Sequence, residues 1–298
     1  MVKIPFYKVQ SIGNDFVLVR RAEVGNLDLA ELAQRTCHRR FGIGADGLLI
    51  LGEDLVLRMF NPDGTEDFCG NGLRCAAQMA SLWGWAGTEF SIEHLGRTVK
   101  VEIDGETVHS HLPPVTYEPN QIPVAQEHEV FQQDIETSEG LVSGASCLST
   151  GSAHTVIACE ALPDDADFAA LGHALEHHPL FPERTSVIWV QTSGEHDLRI
   201  RIWERGVGET LGCGTGSTAA AADHIRRRGH GGTIYVHNPG GTLAVTLEEW
   251  NAPVVLSGRA EFVFQGSFDH APVPGFAATE VPTSSEQVVS CSSARRDG

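Results

Sequence analysis

No stretch of the 298-residue sequence approaches the roughly 18 apolar residues that a membrane-spanning helix requires. Positive charge is scarce: 21 Lys and Arg stand against 39 Asp and Glu, a formal net charge of −18. Such a field repels phosphate backbones and anionic lipid, which excludes nucleic acid and a membrane surface as partners but admits a small zwitterionic ligand. The seven cysteines, at 37, 69, 75, 147, 159, 213 and 291, are odd in number and share no short repeated spacing. They make no disulfide framework and suit a reducing cytosol. Met1-Val-Lys-Ile-Pro-Phe-Tyr-Lys lacks the apolar core of a secretory signal and reads as a first strand, so a cytoplasmic location is expected. His173 and His177 share a helical face, yet no Cys or carboxylate completes a zinc spacing, and no metal is expected. Gly42-x-Gly-x-x-Gly47 mimics a dinucleotide loop but is followed by a strand, Leu48–Leu51, where that loop needs a helix.

What is present is a globular composition, 41% hydrophobic, in a chain long enough for two domains. Phe16–Val19, Gly47–Leu51, Leu55–Phe60 and Val99–Ile103 are short, apolar or alternating, and bounded by Gly or Asp, as strands are. Asp104-Gly105 reads as a two-residue hairpin turn into Thr107–His111. Helices are clearest over Leu29–Arg39, Gly72–Trp83, Asp167–Glu176 and Gly216–Arg228. Strands dominate the rest, which predicts an α+β fold.

The chain also carries a coarse internal echo. Cys69-Gly-Asn-Gly opens one helix and Cys213-Gly-Thr-Gly opens another; upstream, Ser11-Ile-Gly-Asn-Asp-Phe recurs loosely as Thr150-Gly-Ser-Ala-His-Thr. Each pair is about one domain apart in sequence, so a duplication with one Cys-Gly-x-Gly per copy is the economical reading. The proline-rich Leu112–Pro123 suits a crossover linker. The expected division is an N-terminal half over residues 1–113, completed by about 259–266, a C-terminal half over 114–258, and a disordered tail over 267–298.

Cys-Gly-x-Gly at a helix start has a definite chemistry. The glycines let the backbone approach a ligand, and the free first-turn N–H groups favour a carboxylate there. The same field stabilises a thiolate, so both cysteines are expected to have lowered pKa values. One such motif describes a buried cysteine against a packed helix equally well. Two helix starts facing one cleft would instead put thiols on opposite faces of a carboxylate-bearing carbon. One thiolate would remove the Cα proton and the other thiol would return a proton to the opposite face. Charge on the enediolate-like intermediate would fall on oxygens already aimed at the helix ends. No pyridoxal phosphate or other cofactor is expected.

Phe60-Asn-Pro-Asp-Gly-Thr, Cys69-Gly-Asn-Gly-Leu-Arg, Trp203-Glu-Arg-Gly-Val-Gly-Glu-Thr and Cys213-Gly-Thr-Gly resemble the signatures of the diaminopimelate epimerases, and Gly13-Asn-Asp-Phe, Gly42-Ile-Gly-Ala-Asp-Gly and Pro239-Gly-Gly match in order. The resemblance covers about residues 3–266. It implies two pseudo-symmetric domains, each a strand-rich shell around a central helix, with the site in the cleft between them. It implies Cys69 and Cys213 as the two bases, His154 serving Cys69 and Glu204 serving Cys213. Amides of Gly70, Asn71, Gly214 and Thr215 would hold the carboxylate at the reacting centre. Asn14, Asn61, Glu204 and Arg205 would hold the substrate, with Arg205 forked on a far carboxylate.

Three features depart from the family pattern: Ser152 and Ser186 stand where asparagines are usual, and the loop from Asn61 to Cys69 is one residue shorter. All three bear on the far end of the substrate. The expected reaction is epimerisation of LL-diaminopimelate to the meso form, by a homodimer. Racemisation of another amino acid on the same scaffold is the nearest alternative, and non-catalytic amino-acid binding a more distant one. A dithiol redox protein would bring its sulfurs close in sequence, which this chain does not.

Overall fold

The computed structural model describes residues 3–269. The first half of the chain forms β1 (Lys3–Ser11), β2 (Asn14–Arg20), a single turn α1 (Arg21–Val24), α2 (Leu29–Cys37), β3 (Gly47–Leu51) and β4 (Val56–Phe60). Then come α3 (Gly70–Leu82), β5 (Glu89–His94), β6 (Arg97–Asp104) and β7 (Thr107–Leu112). A 3-10 turn over Pro119–Gln121 lies in the proline-rich crossover and leads to β8 (Gln133–Thr137). The second half supplies β9 (Gly140–Ser149), β10 (Ala153–Cys159), α4 (Asp165–Glu176), β11 (Ser186–Thr192), β12 (Asp197–Glu204) and the two-residue β13 (Gly208–Glu209). It ends with α5 (Gly214–Arg228), β14 (Gly232–Asn238), β15 (Gly241–Leu247), β16 (Val254–Arg259) and β17 (Glu261–Asp269).

The two halves repeat one pairing pattern. An antiparallel hairpin, β1–β2 or β9–β10, is followed by a parallel neighbour, β3 or β11. An antiparallel strand comes next, β4 or β12, then a parallel one after the central helix, β5 or β14. Two further antiparallel strands complete each shell. The chain is therefore α+β with two pseudo-symmetric halves. They are joined where β7 pairs antiparallel with β16, and by the return of β17, at the end of the described chain, to pair with β1; β8 forms a local hairpin with β9 within the second half.

Each half has an inner core around its central helix and an outer one under a surface helix. Leu73, Ala76, Ala77, Met79 and Ala80 of α3 pack inside β2–β7; Ala219, Ala220, Ala221, Ala222 and Ile225 of α5 pack inside the second shell. Short apolar side chains let the strands close around each helix, and the buried polar residues Arg74 on α3 and Asp223 on α5 are hydrogen-bonded within the fold. The outer helices are amphipathic and capped as their sequences require. Asp28 accepts N–H bonds from Ala30 and Glu31 at the start of α2, and Asp164 does so for Ala166 and Asp167 at α4. Gly229, at φ +76, ends α5 in the left-handed conformation.

Two expectations need correction. Asp104 pairs with Thr107, so the hairpin loop is Gly105-Glu106, one residue later than expected; Gly105 at φ +61 supplies the positive φ that two-residue hairpin loops demand at their first position. The segment from Ser267 was expected to be disordered, yet Ser267, Phe268 and Asp269 continue β17 opposite Pro5, Ile4 and Lys3. The rest of that tail, Cys291 included, lies outside the described residues. No helix among the described residues is long and apolar enough to cross a membrane.

Candidate active site

Cys69 and Cys213 are the N-cap residues of α3 and α5, with nearly the same backbone: φ −131°, ψ 111° and φ −132°, ψ 120°. Each sulfur accepts the N–H three residues on, from Gly72 and from Gly216, both at 3.4 Å. Two of the four motif glycines sit close against leucine side chains. A Cβ on Gly72 would sit 2.8 Å from Leu49 Cδ2, and one on Gly214 would sit 3.1 Å from Leu256 Cδ2. The two helix starts adjoin: that Gly214 position lies 3.8 Å from Asn71 Oδ1, and Asn71 Nδ2 donates to the Gly212 carbonyl at 3.1 Å, across the halves. The two thiols lie within electrostatic reach of each other.

The cysteine backbones are anchored by two residues that sequence reasoning missed. Cys69 N–H donates to His94 Nε2 at 3.0 Å, and the other ring nitrogen of His94 faces the Leu57 carbonyl at 3.2 Å. Cys213 N–H donates to Asn238 Oδ1 at 3.4 Å, while Asn238 Nδ2 donates to the Val236 carbonyl and Ser217 Oγ. His94 ends β5 and Asn238 ends β14, the matching strands of the two halves. Extending the Cys-Gly-x-Gly echo past the helices would have found them.

The thiol pKa values run opposite to the expectation. Burial pushes Cys69 up to about 11, although N–H bonds from Gly72 and Asn71 and the Arg74 charge pull the other way. Burial, and then the Glu204 charge, push Cys213 up to about 12. The helix-start field is real, but losing water costs a thiolate more than a few N–H groups return. Glu204, at the end of β12, is likewise pushed up by burial; it accepts from Thr210 Oγ1 and is hydrogen-bonded to Cys213.

His154 on β10 is 1% exposed, and burial, with the Arg205 charge adding to it, pushes it down to about 3. Its Nε2 shares a hydrogen bond with Ser152 Oγ at 3.1 Å, and its Nδ1 has no partner. It is not hydrogen-bonded to Cys69, whose thiol instead faces Asn14 Oδ1 at 3.8 Å.

The remaining candidates fall in two groups. Asn14 belongs with the thiols: its Oδ1 accepts from Asn71 Nδ2 at 3.1 Å and its Nδ2 donates to Asp46 at 2.9 Å. So does Thr215, whose hydroxyl lies 3.2 Å from the Cys213 sulfur. Gly70, Asn71, Gly214 and Thr215 occupy the first turns of the two helices, where their amides are free of intrahelical partners. Ser186 and Arg205 form the second group. The Arg205 N–H donates to Ser186 Oγ at 3.1 Å, and its guanidinium, exposed, donates to the Glu183 carbonyl at 3.0 Å. His154 and Ser186 are register partners on β10 and β11, which links this group to Ser152. Asn61 is tied to its own turn, Nδ2 donating to Thr65 Oγ1 at 3.0 Å. Cys37, Cys75 and Cys147 are buried in the cores, as expected of structural cysteines.

The same two-half architecture recurs in solved structures. A phenazine biosynthesis protein of the PhzF family from Bacillus anthracis aligns with a TM-score of 0.63 at 18% identity, covering 90% of this chain and 99% of that one. A hydroxyproline epimerase from Agrobacterium vitis aligns at 0.61 and 14%, covering 90% and 91%. At such identities the likeness defines the fold alone. Sequence carries the argument further, and it makes the chain an isomerase on this scaffold. The chain belongs to the diaminopimelate epimerase family, whose sequence profile it matches over residues 6–117 and 146–263. The diaminopimelate epimerase of Moorella thermoacetica is 40% identical over 283 residues, 88% of this chain and 98% of that protein. That of Desulforudis audaxviator is 37% identical over 278 residues, 89% and 99%.

Proposed function

We propose that the chain interconverts LL- and meso-diaminopimelate by a two-base proton transfer between Cys69 and Cys213. The observation that supports this most is the duplicated N-cap: two thiols with one backbone geometry, at helix starts held together by the Asn71–Gly212 bond. The carboxylate at the reacting centre docks on the free amides of Gly70, Asn71, Gly214 and Thr215. Burial keeps both resting thiols protonated, so catalysis begins by moving one proton off sulfur. Glu204, hydrogen-bonded to Cys213 and itself made more basic by burial, is the acceptor on that side. His154, neutral and with an unpartnered Nδ1, is the group assigned to Cys69. The thiolate takes the Cα proton, the electron pair passes into the carboxylate as an enediolate, and the opposite thiol protonates the other face. One thiolate and one thiol remain, with roles exchanged.

At the far end, Arg205 takes the second carboxylate; Asn14, beside the thiols, and Asn61 help to hold the substrate. Both halves are needed, residues 1–113 with about 259–266 and residues 114–258, in a cytoplasmic enzyme with no partner beyond its amino-acid substrate and a second copy of itself. A homodimer is supported by Phe262 and Phe264, exposed large apolar side chains on one face of β17. Phe264→Asp is expected to convert a dimer to a monomer in sedimentation; a wild type that sediments as a monomer rules this assembly out.

A second reading, racemisation of a single-headed amino acid, is favoured by one feature. The hydroxyls of Ser152 and Ser186 are spent on His154 and the Arg205 N–H instead of presenting carboxamides to a distal head. A turnover panel in heavy water separates the two readings. LL-diaminopimelate is expected to exchange and invert fastest, and Arg205→Ala to weaken its binding by about 2–5 kcal/mol while sparing amino acids without a distal carboxylate. A wild type that ignores diaminopimelate and racemises a single-headed amino acid would overturn the substrate assignment.

A further inference from the structure

Arg74 lies one turn into α3 and is fully buried, 0% exposed. A guanidinium stays charged inside a protein, so burying one without a carboxylate is costly. Among the described residues the groups whose ionisation acts on it are not carboxylates but the thiols of Cys75, Cys69 and Cys213. Its Nη2 donates to Asn71 Oδ1 and, at 3.3 Å, to Ser11 Oγ, which Nε also approaches at 3.4 Å. Its Nη1 is buried and has no hydrogen-bond partner. That atom lies 4.0 Å from the Cβ position of Gly70 and 3.5 Å from that of Gly214, so it is aimed between the two helix starts.

The duplication does not repeat this residue. Five positions after Cys69 stands Arg74, whereas five after Cys213 stands Thr218, whose hydroxyl donates to the Gly214 carbonyl. One cation therefore serves a site in which most else is doubled. Its contact with Asn71 fixes that carboxamide, oxygen toward the guanidinium and nitrogen toward Asn14 and the Gly212 carbonyl.

We propose that Arg74 is the shared positioning cation of the site, holding Asn71 so that the two helix starts stay joined and placing one positive charge where either sulfur, as thiolate, can use it. A symmetric proton exchange needs such a charge, because the anion moves from one cysteine to the other during turnover. A cation tied to one thiol would stabilise only the enzyme form in which that sulfur is the thiolate. This role rests on the two-thiol reading given above. The other titratable groups facing the thiols are Glu204 from β12, His94 from β5 and Cys75 from α3, with Asp46 and Asp67 acting on Glu204.

The test is the pH dependence of iodoacetamide alkylation in the full chain, read at each cysteine by mass spectrometry, with Cys159 as internal reference. In Arg74→Met, the Cys69 and Cys213 midpoints are both expected to rise by about one pH unit, a roughly tenfold slower reaction at fixed pH, while Cys159 is unmoved. Arg74→Lys should restore the midpoints yet keep Cα exchange depressed, since an ammonium cannot hold Asn71 and Ser11 as a fork does. If circular dichroism finds Arg74→Met unfolded, Arg74→Gln, which keeps a donor for Asn71, carries the same expectation. A folded uncharged variant with both midpoints where the wild type has them overturns the proposal. Alkylation does not require turnover, so a wild type without Cα exchange would refute the reaction and leave this result standing.

Discussion

A thiol is a poor helix cap. Serine, threonine, aspartate or asparagine at positions 69 and 213 would satisfy the first-turn N–H groups better, by about 0.5–2 kcal/mol when compared with an uncapped start. The fold gives up some of that stability twice, at two sites with one geometry, which is what a chemical role for both sulfurs would require. Burial then makes the thiols hold their protons, and the same burial acts on Cys37 and Cys147, each pushed up to about 12. These values lie above the ordinary thiol value of 9.0, so the stability these groups contribute is present below pH 9 and is lost as pH climbs toward 11–12. His154 works in the opposite sense. Its folded value of about 3 lies below the ordinary 6.5, so its contribution is present above pH 6.5 and is lost as pH falls toward 3. The denaturation midpoint is therefore expected to be highest near pH 7.5 and lower at both pH 5 and pH 10.5. A midpoint still rising at pH 10.5 would contradict the burial of the thiols. The cysteines themselves were legible because the motif occurs twice. Their pKa direction was not, because the helix start is visible in sequence while the walls that remove water come from distant segments. His94 and Asn238 escaped notice because they are different residue types acting on backbone N–H groups, so only their matching distance from the two cysteines could have marked them.

At the scale of elements, the central helices decide where the thiols can go. The run Ala219–Ala222 is 0–1% exposed, surrounded by strands of the second shell, so α5 has no free side along which to shift. Ala221→Leu is expected to lower stability by about 1–3 kcal/mol through overpacking, read as a lower denaturant midpoint with an unchanged slope. An unchanged midpoint would mean the helix is loosely held and cannot fix Cys213. The four longer helices were readable to within about two residues, while the single turn α1 was not. The hairpin at Gly105 was displaced by one, because both Asp104-Gly105 and Gly105-Glu106 offer a glycine and only pairing with Thr107 decides. The return of β17 was legible only in part. Register between β1 and β17 joins residues some 260 positions apart, and no local pattern in Ser267–Asp269 distinguishes a strand end from a tail.

For the whole molecule, the return of β17 to β1 and the β7–β16 pair tie the halves together, which is what two thiols acting on one carbon would require. Asn71, in the first half, reaches the carbonyl just before Cys213 in the second, and Arg74 holds Asn71 in turn. Neither half has the chemistry alone, since inversion needs a proton carrier on each face of Cα. The most direct measurement follows Cα inversion and solvent deuterium uptake in heavy water for the wild type, Cys69→Ala and Cys213→Ala, each confirmed folded. The wild type should invert LL-diaminopimelate with one deuterium entering the product. Each variant should lose inversion by about 10²–10⁴-fold or more, the usual contribution of a positioned acid or base. Inversion at near wild-type rate in either variant would contradict the two-thiol account.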